Sequence, residues 1–435
     1  MTISELYPLF LSHPVVTTDS RNCPPGALFF ALKGDRFNGH DFVEKALQAG
    51  CAYAIVEEAV MSGDKRIIVV DNVLITLQQL AHHHRKTLQI PVIGITGSNG
   101  KTTTKELTAA VLAQKYKTLF TVGNLNNHIG VPLTLLRLTN EHEIAVIEMG
   151  ANHPGEIGEL SAIVAPDYGL ITNVGYAHLE GFGSFEGVIK TKGELYDYIR
   201  KTDGTVFIHQ DNHFLTTMAE GIKQIAYGAI VADDENSNRP FIGGKITNNH
   251  PFLSFVWQCG SDAVFAVDTR LVGGYNLWNA LAAITIGVVF KIPYEKINEA
   301  LANYEPSNNR SQLHKTSYNE LIIDAYNANP SSMQAAIDNF ASSSSFPKAV
   351  ILGDMLELGE KSIELHTAII KQIESCRFEN VLLCGEHFSI TGKKYTYFPT
   401  VEALAEYLEA NPLQGYHVLI KGSRGIRLEQ IIRLL

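Results

Sequence analysis

The sequence predicts an α/β chain divided into three domains. Its 435 residues exceed what one ordinary core accommodates. Short apolar runs alternate with segments of helical periodicity along the whole chain. In the middle of the chain, residues 91–96, 144–148 and 170–173 are continuously apolar, the pattern of a mostly parallel sheet buried on both faces.

The first domain, residues 1–86, has strand-like runs at 27–32, 52–56 and 66–70 and a helical segment at 40–49. A second block opens at Ile90 and extends to 304. Within it the polar stretch 232–251, rich in Asp, Asn, Ser and Pro, reads as a loop or hairpin excursion. The third, 305–435, begins at Glu305-Pro306-Ser-Asn-Asn309. Its strand-like runs 321–324, 349–352, 381–384 and 417–420 alternate with helical segments 331–340, 363–376 and 401–409, which predicts a parallel sheet covered by helices. The serine tract 342–345 reads as a short loop, and no solenoid repeat is visible.

Composition narrows the function classes. Hydrophobic residues make up 45% and charged residues 18%, as in a soluble globular protein. The longest apolar run, 280–290, is too short to cross a bilayer. The N-terminal MTISELYPLF lacks the pattern of an export signal, so a cytoplasmic protein with no membrane insertion is expected. Cys23, Cys51, Cys259, Cys376 and Cys384 are scattered and odd in number, which fits reduced thiols rather than disulfides or zinc. A net charge of −10 argues against a nucleic-acid partner. It does not argue against phosphate-bearing small molecules, because a few backbone amides and one lysine hold a phosphate locally.

The strongest motif is Gly94-Ile-Thr-Gly97-Ser98-Asn99-Gly100-Lys101-Thr102-Thr103-Thr104, between an apolar strand and a helix with Leu107, Ala110 and Val111 at helical spacing. This is the setting of a P-loop. Glycines let backbone N–H groups turn toward phosphate oxygens, Lys101 reaches the β and γ phosphates, and the Thr102 hydroxyl is placed to ligate magnesium. Ile95 stands where the strict pattern has its first glycine. Downstream, Glu148 ends an apolar strand and His178 lies in a Gly-rich loop beyond another, where α/β sites form. Taken singly, Glu148 reads equally as a solvent-facing strand end. Charge counting makes Lys190 and Lys192 solvated helix lysines. The run His82-His83-His84-Arg85 reads as a solvated helix end, since consecutive helical residues point in different directions and do not chelate one ion.

Together these residues resemble the Mur ligases. The resemblance rests on Gly97-Ser-Asn-Gly-Lys-Thr-Thr103, on Glu148 before Met-Gly-Ala-Asn152, and on Ala177-His178-Leu-Glu-Gly-Phe-Gly183. Further motifs are similar to the members that attach D-alanyl-D-alanine to a UDP-N-acetylmuramoyl tripeptide. They are Gly123-Asn-Leu-Asn-Asn127 with Ile129-Gly-Val-Pro, Asp324-Ala-Tyr-Asn-Ala-Asn-Pro330 and Leu352-Gly-Asp-Met-Leu-Glu-Leu-Gly359. Near the termini, Thr18-Asp-Ser-Arg21, Leu32-Lys-Gly-Asp-Arg36 and Lys421-Gly-Ser-Arg424 also fit. The resemblance spans nearly the whole chain. It implies an N-terminal UDP-binding domain, a central P-loop ATPase domain and a C-terminal Rossmann-like domain that closes over ATP.

Carried over by position, the resemblance implies that ATP is held by Gly97 to Thr103, Asn279, Arg310 and Asp324. Magnesium would be held by Thr102, Glu148 and His178, with Lys192 carbamylated to supply another carboxylate. Asp19, Ser20, Arg21, Asn126 and Asn127 would face the UDP substrate, and Lys101, Glu148, His178, Lys192 and Arg310 would carry catalysis. For Asn276, capping of the helix after it explains the residue as well as any contact with adenine. Ala325 and Asn309 depart from the family's common serine and glycine at those positions. The implied chemistry is an acyl phosphate formed from ATP and a tripeptide carboxylate, then captured by the dipeptide amine. A monomer is expected. Another Mur-type ligase, a folylpolyglutamate synthetase or an ATP-driven switch remain as rivals, and the tripeptide's third residue, meso-diaminopimelate or lysine, is open.

Overall fold

The computed structural model describes residues 1–34, 37–58, 63–230, 240–306, 310–343 and 347–435. Arg36, Asn309, Ser344 and Ser345, named above, lie outside the described residues, as does the stretch 231–239. Three main sheets follow one another along the chain. The first is a four-stranded parallel sheet in the order Val16–Thr17, Leu28–Phe30, Tyr53–Val56, Ile67–Val69. The second has nine strands, with Val92–Thr96 between Ile144–Glu148 and Tyr168–Ile171. The third has six, with His417–Lys421 between Glu320–Asp324 and Lys348–Gly353.

The central strands are buried throughout, as their unbroken apolar runs require. Antiparallel strands close an edge of each larger sheet. Ser254–Cys259 and Phe265–Asp268 extend the nine-stranded sheet, and Gln312–Lys315 extends the six-stranded one. None of the three stands out in the sequence: Phe265–Asp268 and Gln312–Lys315 are edge strands of mixed residues, and Ser254–Cys259, next to the edge, alternates buried and half-buried positions. Of the two alternatives for the polar stretch 232–251, residues 242–248 follow the hairpin rather than the loop, and the hairpin belongs to the main sheet. Ile242–Asn248 is a full strand of the nine-stranded sheet, parallel to Lys223–Ala229 and antiparallel to Ser254–Cys259. Its glycines hide the strand signal: a Cβ on Gly244 would fall 2.6 Å from Leu281, so the position is kept bare by the helix packed on it. That helix, Asn276–Val289, contains the longest apolar run and is buried along most of its length.

A correction concerns His82 to Arg85. They lie on the helix Val73–Leu88, which runs past residue 86 and packs on the helices Gly130–Leu135 and Glu156–Val164 of the middle block. Its buried face, Val73, Leu77, Leu80, Ala81 and His84, repeats at helical spacing and turns His84 inward. His84 Nε2 is 2.9 Å from the Leu138 carbonyl, and Nδ1 is 3.1 Å from the Tyr7 hydroxyl. Arg85, 3% exposed, donates to the Val164 and Ala165 carbonyls and to Asp167 at 2.8 Å. His84 and Arg85 therefore form a buried joint rather than a solvated helix end, while His82 and His83 are half-buried. No helix among the described residues is long and apolar enough to cross a membrane.

Candidate active site

Parallel strands deliver their carboxyl ends to one cleft, and there the second and third sheets enclose a cavity of about 840 Å³. Ser98 to Thr103 line it beside Asn126, Asn127 and Glu148, and Arg310 and Asp324 line it from the third block.

The loop after Val92–Thr96 has the backbone a phosphate cradle requires. Gly97 has φ 141°, and a Cβ there would fall 2.0 Å from the Thr172 hydroxyl; Gly100 has φ 79°, with Asn279 Oδ1 2.5 Å from the Cβ site. Only glycine fits both. Ile95 lies within the buried strand, so the departing position belongs to the core rather than to the cradle. Lys101 Nζ donates to the carbonyls of Gly97 at 2.6 Å and Ser98 at 3.2 Å, and burial together with the nearby Arg310 charge pushes it down to about 8 against the opposing pull of Glu148.

Glu148 is 1% exposed, which overturns the solvent-facing alternative. Its carboxylate accepts from the Thr102 hydroxyl at 3.0 and 3.2 Å and from Asn126 Nδ2 at 2.8 Å. Lys105, fully buried with Nζ 3.9 Å from Glu148, is a neighbour that sequence reading missed. A buried glutamate fed by a hydroxyl is a hard oxygen donor set. Among the described residues no three His, Cys, Asp or Glu side chains gather closely enough to cage a metal ion. The Thr102–Glu148 pair nevertheless fits magnesium, which keeps waters and phosphate oxygens and takes only one or two protein carboxylates.

His178 lines the same cavity as this pair, whereas Lys192 is not among the lining residues. His178 has a left-handed backbone, φ 52°, and its Nδ1 abuts the carboxylate of Glu357 from the third block. That contact, the largest effect on Glu357, holds its carboxyl below the usual range. Lys192 is 1% exposed, with its amine 5.1 Å from the centre of the Phe182 ring, so counting charges misreads it; Lys190 on the same helix is exposed. Burial, reinforced by the charge of Lys101, pushes Lys192 down to about 7, with Glu156 and Glu194 opposing.

Asn279 donates to Asn276 Oδ1 at 2.8 Å and accepts from the Thr104 hydroxyl at 3.0 Å. Asn276 does not cap its helix. Tyr275 holds the cap position, and Asn276 Nδ2 reaches back to the Val272 carbonyl. His209 and Trp278, ring centres 4.1 Å apart, form an aromatic wall of the cavity that no sequence signal singled out.

From the third block, Asp324 Oδ1 accepts from the Ser311 amide and Oδ2 meets Lys421. The Arg310 guanidinium lies 3.6 Å from the centre of the Tyr326 ring, and its buried Nε has no hydrogen-bond partner among the described residues. Asn329 Nδ2 donates to Asn99 Oδ1 at 2.7 Å, and the Tyr176 amide donates to Ser331 at 3.2 Å, so the helix Pro330–Ser342 begins against the phosphate loop. Asp19, Ser20 and Arg21 lie outside the cavity. The Asp19 and Arg21 side chains bind each other, and Arg21 holds the Asp19 carboxyl down to about 2. Gln78 donates to the His128 carbonyl, tying the first block to the loop that carries Asn126 and Asn127.

Comparison with known proteins matches this geometry to a family along the chain. Residues 14–94 match the Mur ligase family catalytic domain, 95–287 the Mur ligase middle domain, and 309–424 the Mur ligase glutamate ligase domain. The chain is 35% identical to UDP-N-acetylmuramoyl-tripeptide--D-alanyl-D-alanine ligase of Escherichia coli strain K12, covering 97% of this chain and 93% of that one. It is 36% identical to the Bacillus subtilis strain 168 enzyme of the same name, covering 96% and 92%. Among solved structures it is similar to MurF from Acinetobacter baumannii, with a TM-score of 0.86 and 31% identity over 96% of this chain and 92% of that one. The MurF ligase from Thermotoga maritima in complex with ADP gives 0.84 and 27%, over 98% and 97%. The chain belongs to the Mur ligase family.

Proposed function

We propose that this chain is an ATP-dependent ligase that joins D-alanyl-D-alanine to the terminal carboxylate of a UDP-N-acetylmuramoyl tripeptide, in cytoplasmic peptidoglycan precursor synthesis. The observation that carries the reading is the cavity itself, where Lys101 and the Thr102–Glu148 pair face Arg310 and Asp324 across two domains. Identity above one third to ligases of this name, over nearly the full length of both chains, supports the acceptor and donor assigned. It also favours this reading over a folylpolyglutamate synthetase, whose likeness is 15%.

In this reading residues 1–86 take the UDP moiety, with Asp19, Ser20, Arg21, Asn126 and Asn127 facing it. Residues 87–304 hold ATP through the loop Gly97 to Thr103 and through Asn279, and residues 305–435 close over it and admit the dipeptide. A tripeptide carboxylate oxygen attacks the γ-phosphorus, ADP leaves, the dipeptide amine attacks the acyl carbon, and phosphate departs as the amide forms and the amine loses a proton. Two anions must approach, so Lys101 and Arg310 offset their repulsion. Thr102 and Glu148 would hold magnesium, with His178 and a carbamylated Lys192 as further ligands, and the ion would supply Lewis-acid neutralisation of the phosphate charge. The acyl phosphate is water-labile, and the side chains bridging Asn99 to Asn329 help keep the cleft shut around it. The amine of Lys192, displaced to about 7, is largely neutral above that pH, the form that adds carbon dioxide.

The deciding experiment is phosphate release from ATP and magnesium with UDP-muramoyl tripeptide, with and without D-alanyl-D-alanine. The reading expects release to require both, with a UDP-pentapeptide product. Release that ignores the dipeptide overturns the assigned acceptor, and ATP binding without release points instead to a switch.

A further inference from the structure

Four cationic side chains line the cavity among the described residues: Lys101, Arg310, Lys421 and Arg424. Two are accounted for. Lys101 serves the phosphate loop, and Lys421 is neutralised by Asp324 and donates to the Asn327 carbonyl. Arg310 and Arg424 differ from both, having no carboxylate partner among the described residues. They flank one ring, that of Tyr326, with guanidinium carbons 3.6 and 5.6 Å from its centre. In a chain with a net charge of −10, two unpaired guanidiniums converging on one cavity are receptors for anions that arrive from outside.

The two are not equivalent. Arg310 is close enough to Lys101 to lower its affinity for a proton, which puts it on the phosphate side. Arg424 is not among the groups that perturb Lys101, and it is exposed. It opens the short helical turn Arg424–Ile426 beyond the carboxyl end of the strand His417–Lys421, where ligands meet parallel sheets. Its contact with Tyr326 leaves the donor fork free for a planar anion.

The proposed reaction brings four kinds of anion to this cavity: the triphosphate, the tripeptide carboxylate that reacts, the tripeptide's unreacting glutamyl carboxylate, and the carboxylate of the dipeptide. The triphosphate belongs to the loop, Lys101 and Arg310. The reacting tripeptide carboxylate is consumed at the phosphorus. Of the two that stay unreacted, the glutamyl carboxylate travels with the UDP substrate, whereas the carboxylate of the incoming dipeptide enters at the third domain, which carries Arg424, and stays ionised while the amine at its other end attacks. An extended dipeptide spans roughly 7 Å, so its charge must be held a short way from the reacting centre rather than at it. We propose that Arg424 binds the C-terminal carboxylate of the incoming dipeptide, with Tyr326 as a positioning residue that holds it beside Arg310. This rests on the function proposed above and adds the subsite that orients the nucleophile.

The test uses the full-length enzyme with ATP, magnesium and UDP-muramoyl tripeptide. It compares kcat/KM for D-alanyl-D-alanine with that for D-alanyl-D-alaninamide, which lacks the negative charge. Wild-type enzyme is expected to prefer the dipeptide by about 10- to 100-fold, the span of a charge-assisted pair. In Arg424→Gln the preference falls to near parity, and Arg424→Lys keeps an intermediate value because a point charge replaces the fork. A preference in Arg424→Gln equal to wild type, including equal slowing on both substrates, overturns the assignment. Where Arg424→Gln is too slow to read, an unaltered preference in Arg424→Lys overturns it instead. Wild-type enzyme that accepts both compounds equally also overturns it, whereas wild-type enzyme that uses neither overturns the proposed function.

Discussion

The two junctions between domains are built from different materials. At the first, the helix Val73–Leu88 sinks into the middle domain. Leu77, Leu80 and Ala81 join the same apolar core as Leu135, Leu138 and Val164, and Arg85 donates to two carbonyls and Asp167. At the second, the same apolar core continues into the third domain through Met333, Ala336 and Ile337, but the residues around the cavity meet that domain through polar contacts: Asn99 with Asn329, Tyr176 with Ser331, Tyr275 with Ser311, and His178 with Glu357. Dry apolar joints resist motion, and polar joints around a cavity exchange cheaply with water. The difference predicts that the first two domains move as one body and that the third swings, which is what a site handling a water-labile intermediate needs.

Substitutions should therefore separate cleanly. Arg310→Ala at the second junction is expected to lower turnover by about 100- to 1000-fold, as when one charge-stabilising donor is removed, while affinity for the UDP substrate holds. Equal turnover in the two proteins, by steady-state phosphate release, removes Arg310 from the chemistry. Arg85→Ala at the first junction should do the reverse. It leaves the Val164 and Ala165 carbonyls without their donor and should cost about 2–3 kcal/mol of stability in denaturant melts, with little loss of turnover per folded molecule. A variant that melts like the wild type but turns over slowly would show that the first junction moves too.

The Asn99–Asn329 pair tests the second junction more finely. Asn329 also caps its helix by accepting from the Ser332 amide, so a single Asn329→Ala variant mixes two effects. A double-mutant cycle with Asn99→Ala isolates the cross-domain part, expected at about 1 kcal/mol in turnover. Additive losses would mean that the asparagines act independently and that closure rests on other contacts.

How far these differences were legible follows from what a sequence displays. The phosphate loop was readable because glycine spacing between a strand and a helix has few other uses, and Gly97 and Gly100 prove to be conformationally obligatory. The four inner strands of the third domain were readable because they are largely buried on both faces, and its two edge strands were not. Glu148, Lys192 and Arg85 were not readable from composition, because burial of a charge is decided by residues distant in sequence: Asn126 beside Glu148, Phe182 beside Lys192, Asp167 beside Arg85. For Lys192, resemblance supplied what charge counting could not. His84 and Arg85 were misread because a polar run conceals a helical face whose apolar members lie three and four residues away. The strand Ile242–Asn248 was hidden by the glycines that let Leu281 approach.

The smallest predicted effect contrasts the buried cations of the two junctions directly. Arg85 has a carboxylate partner and two carbonyl acceptors before any ligand arrives. Among the described residues Lys101 has two carbonyls and a nearby glutamate, and burial holds it down to about 8. The triphosphate of ATP supplies the missing negative charge, so binding must raise the proton affinity of Lys101. At a pH near 8 about half of the free enzyme lacks this proton, and binding should take up about half a proton per ATP. Uptake should fade below pH 7, where the amine is already charged, and ATP affinity should decline as pH rises above 8. Calorimetry in buffers of unlike ionisation enthalpy reads this directly, and repeating it with Lys101→Met assigns it. If the wild-type heats do not depend on the buffer, Lys101 is as well partnered as Arg85, and the contrast between the junctions lies in motion alone.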